Sequence, residues 1–331
     1  MGNLKIAILG ATSNIARGLI SNFLLDSKVE LHLYTRSPEK LKIFFDALHC
    51  PNQPRTINVG YQEFGNNPYD VIINCIGVGT RNKLQGDYTL YLTVTEEYDN
   101  MVIKYLCNIC PNAIYISFSS GVVYGGEFLA PAEEDTKNII PVNHIKSEEY
   151  YTIARLNSET KHRSFNHLNI VDLRIFSYFS RYSSMGDSYF ITDVMNSILN
   201  NKILITDNVN IVRDFIHPQD LYSMICQCIA AKRINSAFDV SSSKPVEKRE
   251  IINYFASEYG LKYEIGWAAN HASPTGVKNN YYSRNNKSFK FGYKPVYSSM
   301  DAIKDESGFI LSQCIHQANQ SPDLDFGKSI L

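Results

Sequence analysis

The sequence lacks an excess of charge of either sign. Its 331 residues include 32 lysines and arginines and 33 aspartates and glutamates, which leave a formal net charge of -1. Because proteins that bind nucleic acids depend on a strongly basic surface, this balance argues against nucleic acid as the main partner. It is compatible with a local basic pocket for a small phosphorylated molecule.

Long apolar runs are also missing. No stretch approaches the roughly 18 apolar residues that span a bilayer, and the early LKIAIL leads directly into a glycine turn. We therefore expect no membrane segment, no signal peptide and a cytoplasmic location. The seven cysteines are scattered, and the pair Cys107 and Cys110 has no second pair or histidine cluster at metal-binding spacing. No metal site is predicted, and the cysteines are expected to be reduced.

What the sequence does contain is a regular alternation of strand-like and helix-like segments. Apolar runs such as DVIINCIG and AIYISFSSG are typical of strands that are buried on both faces of a parallel sheet. Segments with helical spacing of apolar residues lie between them, and Ser37 and Pro38 open one of these helices. The alternation predicts an α/β fold with a doubly wound, Rossmann-type parallel sheet.

The alternation changes after about residue 176, where turn-rich and helical segments replace the regular pattern. We predict a core domain over residues 1–176, to which some later segments return. A smaller, interleaved domain is predicted over residues 177–311. The last residues, 312–331, are polar and irregular in pattern, and they are expected to form a tail.

The turn after the first strand has the spacing of a dinucleotide-binding turn. Gly10, Ser13 and Ala16 occupy the three positions that are usually glycine. A serine hydroxyl can bind a phosphate, alanine still allows close packing, and the amides at a helix N-terminus attract anions. Candidate cofactor-binding residues are therefore Gly10, Thr12, Ser13, Asn14 and Ile15. The turn alone is also compatible with an unrelated α/β protein.

The end of the second strand indicates which dinucleotide is bound. Enzymes that use NAD usually have an acidic residue there, but this strand ends in YTRSPEK and has none. Arg36 can instead pair with the 2′-phosphate of NADP. NADP is the expected cofactor, and NAD is the alternative. Arg36 could also be a surface residue that contacts no cofactor.

Five later stretches carry a resemblance to a known family. They are SSGVVYG (119–125), YYTIARLNSE (150–159), LRIF (173–176), RDFIHPQDL (213–221) and FGYKPVYSSMDAI (291–303). With the phosphate turn, they make the chain similar to the extended short-chain dehydrogenase/reductase family of nucleotide-sugar epimerases, dehydratases and 4-keto reductases. The resemblance runs from Lys5 to about Ile303. It implies that the core domain binds NAD(P) and that the second domain binds substrate.

The chemistry of this family needs a tyrosine hydroxyl beside the sugar oxygen and a nearby cation. The cation lowers the pKa of a phenol from its usual value of about 10. Tyr151 and Arg155 are four residues apart and so share one helix face, whereas Tyr150 has Ala154 at that spacing. The resemblance makes Ser120 the catalytic hydroxyl. It also places Arg155 where the family has a lysine that binds the nicotinamide ribose, a change that keeps the charge but alters the geometry.

Other positions depart from the family pattern. Tyr61 stands where an acidic residue usually contacts adenine, and an aromatic ring there can stack on the base instead. Ser177 replaces an asparagine of the substrate site. Together with the changes in the phosphate turn and at Arg155, these departures leave open a binding protein that has kept the cofactor fold and lost turnover.

The residues around Ser120 narrow the expected reaction. Gly121 and Val122 follow it, where family dehydratases have an acid pair, so dehydration is disfavoured. Epimerisation at C3 and C5 would need an added acid or base such as cysteine beside this serine, and none is present. With these two reactions disfavoured, the expected reaction takes place at C4 of the sugar. Arg36 favours reduction of a 4-keto nucleotide sugar, and 4-epimerisation with tightly bound NAD is the alternative.

Substrate contacts are expected from the second domain. Arg213 matches the family position that binds the phosphates of the nucleotide sugar, and Arg284 is a second candidate. An internal ion pair of Arg213 with Asp214 or Asp220 is the structural alternative. A reductase of a non-sugar carbonyl, which would not need Arg213, is a further alternative function. Family members often dimerise through two helices, here residues 95–110 and 147–162, so a homodimer is also expected.

Overall fold

A computed structural model describes residues 3–48, 56–78, 84–187, 189–266 and 278–320. Its strands are β1 (Leu4–Leu9), β2 (Val29–Tyr34), β3 (Thr56–Val59), β4 (Val71–Asn74), β5 (Ile114–Ser120), β6 (Asn169–Ile175), β7 (Ser177–Tyr178), β8 (Leu204–Thr206), β9 (Val212–Arg213), β10 (Phe215–Ile216), β11 (Asn235–Val240), β12 (Val246–Glu247), β13 (Tyr263–Ile265) and β14 (Asn280–Tyr281). Its helices are α1 (Asn14–Phe23), α2 (Pro38–Leu48), α3 (Leu90–Asn108), α4 (Tyr150–Ser164), α5 (Phe190–Leu199), α6 (Pro218–Ala230), α7 (Lys248–Tyr259), α8 (Lys287–Lys290) and α9 (Ser299–Gln320).

Seven of the strands form one central sheet in the order β11-β6-β5-β4-β1-β2-β3. Every neighbouring pair in this sheet is parallel. Because β1 lies between β2 and β4, the direction in which the sheet grows reverses at β1. In sheets of this kind a crevice opens there, beyond the carboxyl ends of the strands. The predicted doubly wound α/β fold is confirmed.

The apolar strands are buried because helices cover both faces of the sheet. In β1, Ile6 and Ile8 pack into one apolar cluster, whereas Ala7 and Leu9 pack into another. Successive side chains of a strand point to opposite faces, so the two clusters lie on opposite sides of the sheet. This burial on both faces explains why β1 and β4 have nearly unbroken apolar sequences.

A second apolar core lies among the elements that follow β6. It includes Phe179, Val194 of α5, Phe255 of α7 and Leu311 of α9. The chain between these elements returns to the central sheet, because β11 pairs in parallel with β6. The later part of the chain is therefore interleaved with the sheet. The boundaries at residues 176 and 311 stay predictions.

Helix α9 is longer than the sequence pattern predicts. It continues to Gln320, so the expectation of an irregular tail over residues 312–331 is wrong for residues 312–320. Ile310, Leu311 and Cys314 are buried against the second core, so the apolar helical spacing continues past residue 311. Residues 321–331 lie outside the described residues. Neither α9 nor any other described helix has the length and apolar character needed to cross a membrane.

A buried charge cluster joins α3, α4 and β6. His162 of α4 is fully buried; its Nε2 lies 2.6 Å from Asp99 Oδ1 and its Nδ1 2.8 Å from Asp172 Oδ1. Burial alone would lower the pKa of His162, but the hydrogen bonds and charges of Asp172 and Asp99 outweigh it and raise the pKa to about 9. The imidazolium form donates from both nitrogens and so satisfies both carboxylates.

This cluster predicts a pH-dependent stability. The folded pKa of His162 is raised above its ordinary value of 6.5, so its stabilising effect is complete below about pH 6.5 and is lost as the pH rises through 9. We expect the free energy of unfolding to fall by an amount on the order of 3 kcal/mol across this range. Urea unfolding at a series of pH values measures it. His162→Gln should remove the dependence, whereas the same change at exposed His144 should not; equal profiles for all three proteins would contradict the assignment.

Candidate functional site

The candidate site lies at the carboxyl edge of the sheet, where β1, β2, β4 and β5 end. Because these strands are parallel, the segments that follow them meet at one edge. The predicted residues Gly10, Arg36 and Ser120 are positioned in this way. The described residues contain no group of three or more His, Cys, Asp or Glu side chains that could hold a metal ion.

The phosphate turn has the geometry that a dinucleotide pyrophosphate needs. Gly10 has a φ of +71°, and a Cβ there would lie 3.1 Å from the carbonyl carbon and oxygen of Cys75. Ser13 caps α1 by accepting a hydrogen bond from the Ala16 amide at 3.3 Å. Asn14 and Ile15 begin the helix, so their amides have no partner within it. The first turn carries no acidic residue, and an anion can approach these amides without repulsion.

Two further residues of this turn make contacts that limit their role. The Asn14 side chain donates to Ser183 Oγ at 2.8 Å and accepts from the Ser180 hydroxyl, so only its backbone faces a ligand unhindered. Thr12 Oγ1 lies 3.4 Å from Thr35 Oγ1. Both side chains therefore tie the turn to neighbouring segments.

Tyr61 closes the turn from the side of β3. Its hydroxyl accepts a hydrogen bond from the Gly10 amide at 3.0 Å and donates one to the Tyr34 carbonyl at 3.1 Å. Burial raises the pKa of Tyr61 to about 12, so the hydroxyl stays protonated and can donate. Stacking of this ring on adenine stays a prediction. The two hydrogen bonds could not be foreseen, because Gly10 is 51 residues away.

Arg36 follows β2 and is exposed. No hydrogen bond or ion pair joins its guanidinium to another described residue, so its charge is available to a ligand at the end of β2. Together with the α1 turn, this arrangement fits a dinucleotide.

The three predicted catalytic residues lie on β5 and α4, two elements joined by a hydrogen bond from Arg155 to the Phe118 carbonyl. Ser120 is the last residue of β5 and is buried, and its Oγ lies 2.9 Å from the hydroxyl of Tyr281. The ring of Tyr151 packs against Tyr91, with 5.1 Å between the ring centroids. The guanidinium carbon of Arg155 lies 5.1 Å from the centre of the Tyr151 ring. Tyr281 was not predicted, since it is 161 residues from Ser120 and carries no local signal.

A buried ion pair holds α4 in place. Glu159 lies four residues after Arg155 on the same helix face. Arg174 of β6 donates to it from Nε at 3.0 Å and from Nη2 at 2.6 Å, and Ser119 of β5 donates at 2.6 Å. The helix face that carries Tyr151 and Arg155 is therefore fixed against β5 and β6.

Arg213 is not neutralised by either neighbouring aspartate. Its Nη1 donates to the carbonyls of Val212 and Lys278, at 2.9 and 2.6 Å. Asp214 accepts from the Ser242 amide at 2.9 Å, and Asp220 accepts from the Val296 amide at 3.0 Å. The alternative of an internal ion pair between Arg213 and these aspartates is therefore wrong.

A second cation lies next to Arg213. Lys278 is 2% exposed, and its Nζ is 4.4 Å from the centre of the Tyr281 ring, where the Arg213 guanidinium also packs at 5.8 Å. Burial and the charge of Arg213 lower the pKa of Lys278 to about 7. An anion bound here would favour the charged form of both side chains. The sequence pattern missed Lys278, because a single lysine in a polar stretch has no distinguishing signal.

The two other predicted substrate residues lie in different places. Ser177 of β7 pairs with Phe215 of β10, two residues after Arg213, so it is near the Arg213 segment. Arg284 is 64% exposed as a side chain, and its Nη1 is 4.0 Å from Glu133 Oε1. Within the described residues, no contact joins Arg284 to Arg213 or to the Ser120, Tyr151 and Arg155 group.

The sheet and its phosphate turn define a Rossmann-type dinucleotide-binding protein. The sequence model of the NAD dependent epimerase/dehydratase family matches residues 6–240, well over half of the chain. The chain therefore belongs to this family, within the extended short-chain dehydrogenase/reductases, and is an enzyme. No curated protein sequence is a significant match to it.

Solved structures share the fold at low sequence identity. UDP-glucuronic acid 4-epimerase from Bacillus cereus, in complex with UDP-glucuronic acid and NAD, is 18% identical with a TM-score of 0.74, over 94% of this chain and 100% of that one. UDP-N-acetylglucosamine 4-epimerase from Methanobrevibacter ruminantium M1, in complex with UDP-N-acetylmuramic acid, is 16% identical with a TM-score of 0.75, over 95% and 100%. dTDP-glucose 4,6-dehydratase from Bacillus anthracis, in complex with NAD, is 16% identical with a TM-score of 0.69, over 93% and 97%.

Proposed function

We propose that the chain is an NAD(P)-dependent oxidoreductase that acts at C4 of a nucleotide-linked sugar. The observation that carries this proposal is the Tyr151–Arg155 contact on α4, where the Arg155 guanidinium also donates to the Phe118 carbonyl of β5, two residues before Ser120. Gly121 and Val122 follow Ser120, so the carboxyl pair that dehydration would need directly after this serine is missing. Six free cysteines among the described residues support a reducing, cytoplasmic location.

Each residue has a distinct chemical role in this proposal. Ser120 Oγ donates a hydrogen bond to the C4 oxygen of the sugar, and Tyr151 gives or takes the proton at that oxygen. Arg155 is a fixed positive charge on the face of the Tyr151 ring, since a guanidinium does not lose its proton in proteins. The nicotinamide ring, when bound, supplies the hydride donor or acceptor. The amides of Asn14 and Ile15 bind the pyrophosphate.

Reduction of a 4-keto nucleotide sugar is the net reaction that the cofactor site favours. Arg36 after β2, which has no ion-pair partner among the described residues, supports NADP, and a reductase must release its oxidised cofactor after each turnover. Epimerisation at C4 with tightly held NAD is the second candidate. The similarity in fold to the two UDP-sugar 4-epimerases supports it.

A nucleoside diphosphate is the group best suited to the second part of the site. Arg213 and Lys278 both contact the Tyr281 ring, and Tyr281 in turn contacts Ser120. Two neighbouring cations match the two charges of a diphosphate. A sugar joined to that diphosphate would extend toward Ser120. The UDP sugars in the similar structures support this substrate class.

Substitution of the tyrosine tests the assigned acid or base. Tyr151→Phe removes the proton at the sugar oxygen and should lower kcat by roughly 10²- to 10⁴-fold. The affinity for NADPH, measured by nicotinamide fluorescence, should change little, because the dinucleotide contacts remain. Tyr150→Phe is the matched control and should keep most of the activity. Equal losses in the two variants would contradict the role of Tyr151.

A cofactor titration tests the assignment of Arg36. The purified protein is first checked for retained dinucleotide by mass spectrometry and then titrated with NADPH and NADH. NADPH should bind more tightly, and Arg36→Ala should weaken NADPH binding by roughly tenfold or more while leaving NADH unchanged. Lys40→Ala is a control for an exposed cation nearby. Tightly retained NAD would instead favour the 4-epimerase, and binding of neither dinucleotide would favour a protein without turnover.

A comparison of two arginines tests the diphosphate site. Arg213→Ala should weaken the binding of UDP by roughly tenfold or more, because a charge-assisted hydrogen bond is lost from a half-buried site. Arg284→Ala should change the affinity much less, since its side chain is exposed. Isothermal titration with UDP measures both. Unchanged binding and activity in the Arg213 variant would support a reductase of a non-sugar carbonyl.

A further inference from the structure

The guanidinium of Arg155 is held from several directions. Its Nη1 donates to the Phe118 carbonyl of β5 at 2.9 Å. Its central carbon lies on the face of the Tyr151 ring, 5.1 Å from the ring centre. The other terminal nitrogen, Nη2, points to the segment that follows β4, where it lies 2.8 Å from the position that a Cβ of residue 77 would take. The branched end of the arginine therefore needs space at the end of β4. A lysine, which is shorter and ends in a single ammonium group, would not occupy that space.

Gly77 provides that space. A Cβ at residue 77 would lie 2.8 Å from Arg155 Nη2, and Arg155 is the only described side chain that it would meet within 4 Å. Real Cβ atoms essentially never approach another heavy atom this closely, so the end of the Arg155 side chain would have to shift. The backbone gives no separate reason for a glycine, because Gly77 is not among the glycines with positive φ. Among the described residues, the space beside Gly77 is therefore taken by Arg155, and the sign of φ gives no reason for a glycine there.

We propose that Gly77 is the positioning residue for Arg155 and that the two residues form one functional unit. This inference rests on the proposed function, because it explains how an arginine serves beside Tyr151. A methyl group at residue 77 would push Nη2 away. The guanidinium would then give up its hydrogen bond to Phe118 or its place on the Tyr151 ring. The positive charge would move away from the group that transfers the proton, while the chain would keep every residue assigned to catalysis.

Four proteins test this coupling without relying on activity: the unchanged chain, G77A, R155K and G77A/R155K. Thermal unfolding should show that G77A lowers the Tm when Arg155 is present. In the R155K background the same change should be neutral or slightly stabilising, because alanine restricts the unfolded chain more than glycine does. Gly186→Ala is the matched control, since Gly186 has no positive φ and, among the described residues, its Cβ would meet only Ser184 Oγ at an ordinary 3.7 Å. Equal Tm shifts from G77A in both backgrounds would overturn the proposal.

The same four proteins separate positioning from binding. With a 4-keto nucleotide sugar and NADPH, G77A should lower kcat by roughly tenfold or more and change KM little, because the displaced charge acts on the proton transfer. G77A/R155K should have the same kcat as R155K, because a lysine at residue 155 would not meet the methyl group of Ala at residue 77. A loss of kcat that persists in the R155K background would show that Gly77 acts independently of Arg155, and would overturn the proposal.

Failure of the proposed function would look different from failure of this inference. If the unchanged chain neither binds a dinucleotide nor turns over any 4-keto nucleotide sugar, the proposed function is wrong. The Tm coupling between residues 77 and 155 would still be present, because it depends only on the contact within the chain. A missing Tm coupling in a chain that is active would reject the positioning role and leave the function intact.

Discussion

The ion pair between Arg174 and Glu159 is the interaction on which the geometry of the candidate site depends. It joins β6 to α4, and the Ser119 hydroxyl adds a third contact from β5. Because Tyr151, Arg155 and Glu159 follow one another at four-residue intervals, fixing Glu159 against the sheet also fixes the other two. Loss of one partner from a buried ion pair costs on the order of 3 to 5 kcal/mol, so other placements of α4 are strongly disfavoured.

Tyr281 connects the two parts of the chain at the same place. Its hydroxyl contacts Ser120 at the edge of the central sheet. The side chains of Arg213 and Lys278, from the later part of the chain, pack on its ring. Burial keeps the pKa of Tyr281 above its ordinary value, so this hydroxyl remains a neutral hydrogen-bonding group. Under the proposed function, the reacting sugar and the diphosphate that carries it would lie on the two sides of this one residue.

The departures from the family pattern have partners elsewhere in the chain. The family pattern has an acidic residue where this chain has Tyr61. The hydroxyl of Tyr61 instead accepts a hydrogen bond from the Gly10 amide and donates one to the Tyr34 carbonyl. Arg155 is larger than the lysine it replaces, and Gly77 leaves room for its guanidinium. The hydroxyl of Tyr61 and the guanidinium of Arg155 therefore each have a defined place at the candidate site.

The sequence by itself determined the class of fold and the place of the site. Apolar runs alternating with helical patterns specify a parallel sheet, and parallel strands bring Gly10, Arg36 and Ser120 to one edge. The four-residue spacing placed Tyr151 and Arg155 on one helix face. These features depend on periodicity and on local backbone geometry, which neighbouring residues encode.

Only the tertiary structure decided which distant residues meet. His162 lies between Asp99 and Asp172, Tyr281 lies on Ser120, and Gly77 lies against Arg155. Local spacing fixes the face of an element on which a side chain lies, but the partner across the interface depends on how whole elements pack. The continuation of α9 past residue 311 has the same origin, because Leu311 and Cys314 are buried in a core that also includes residues of α5 and α7.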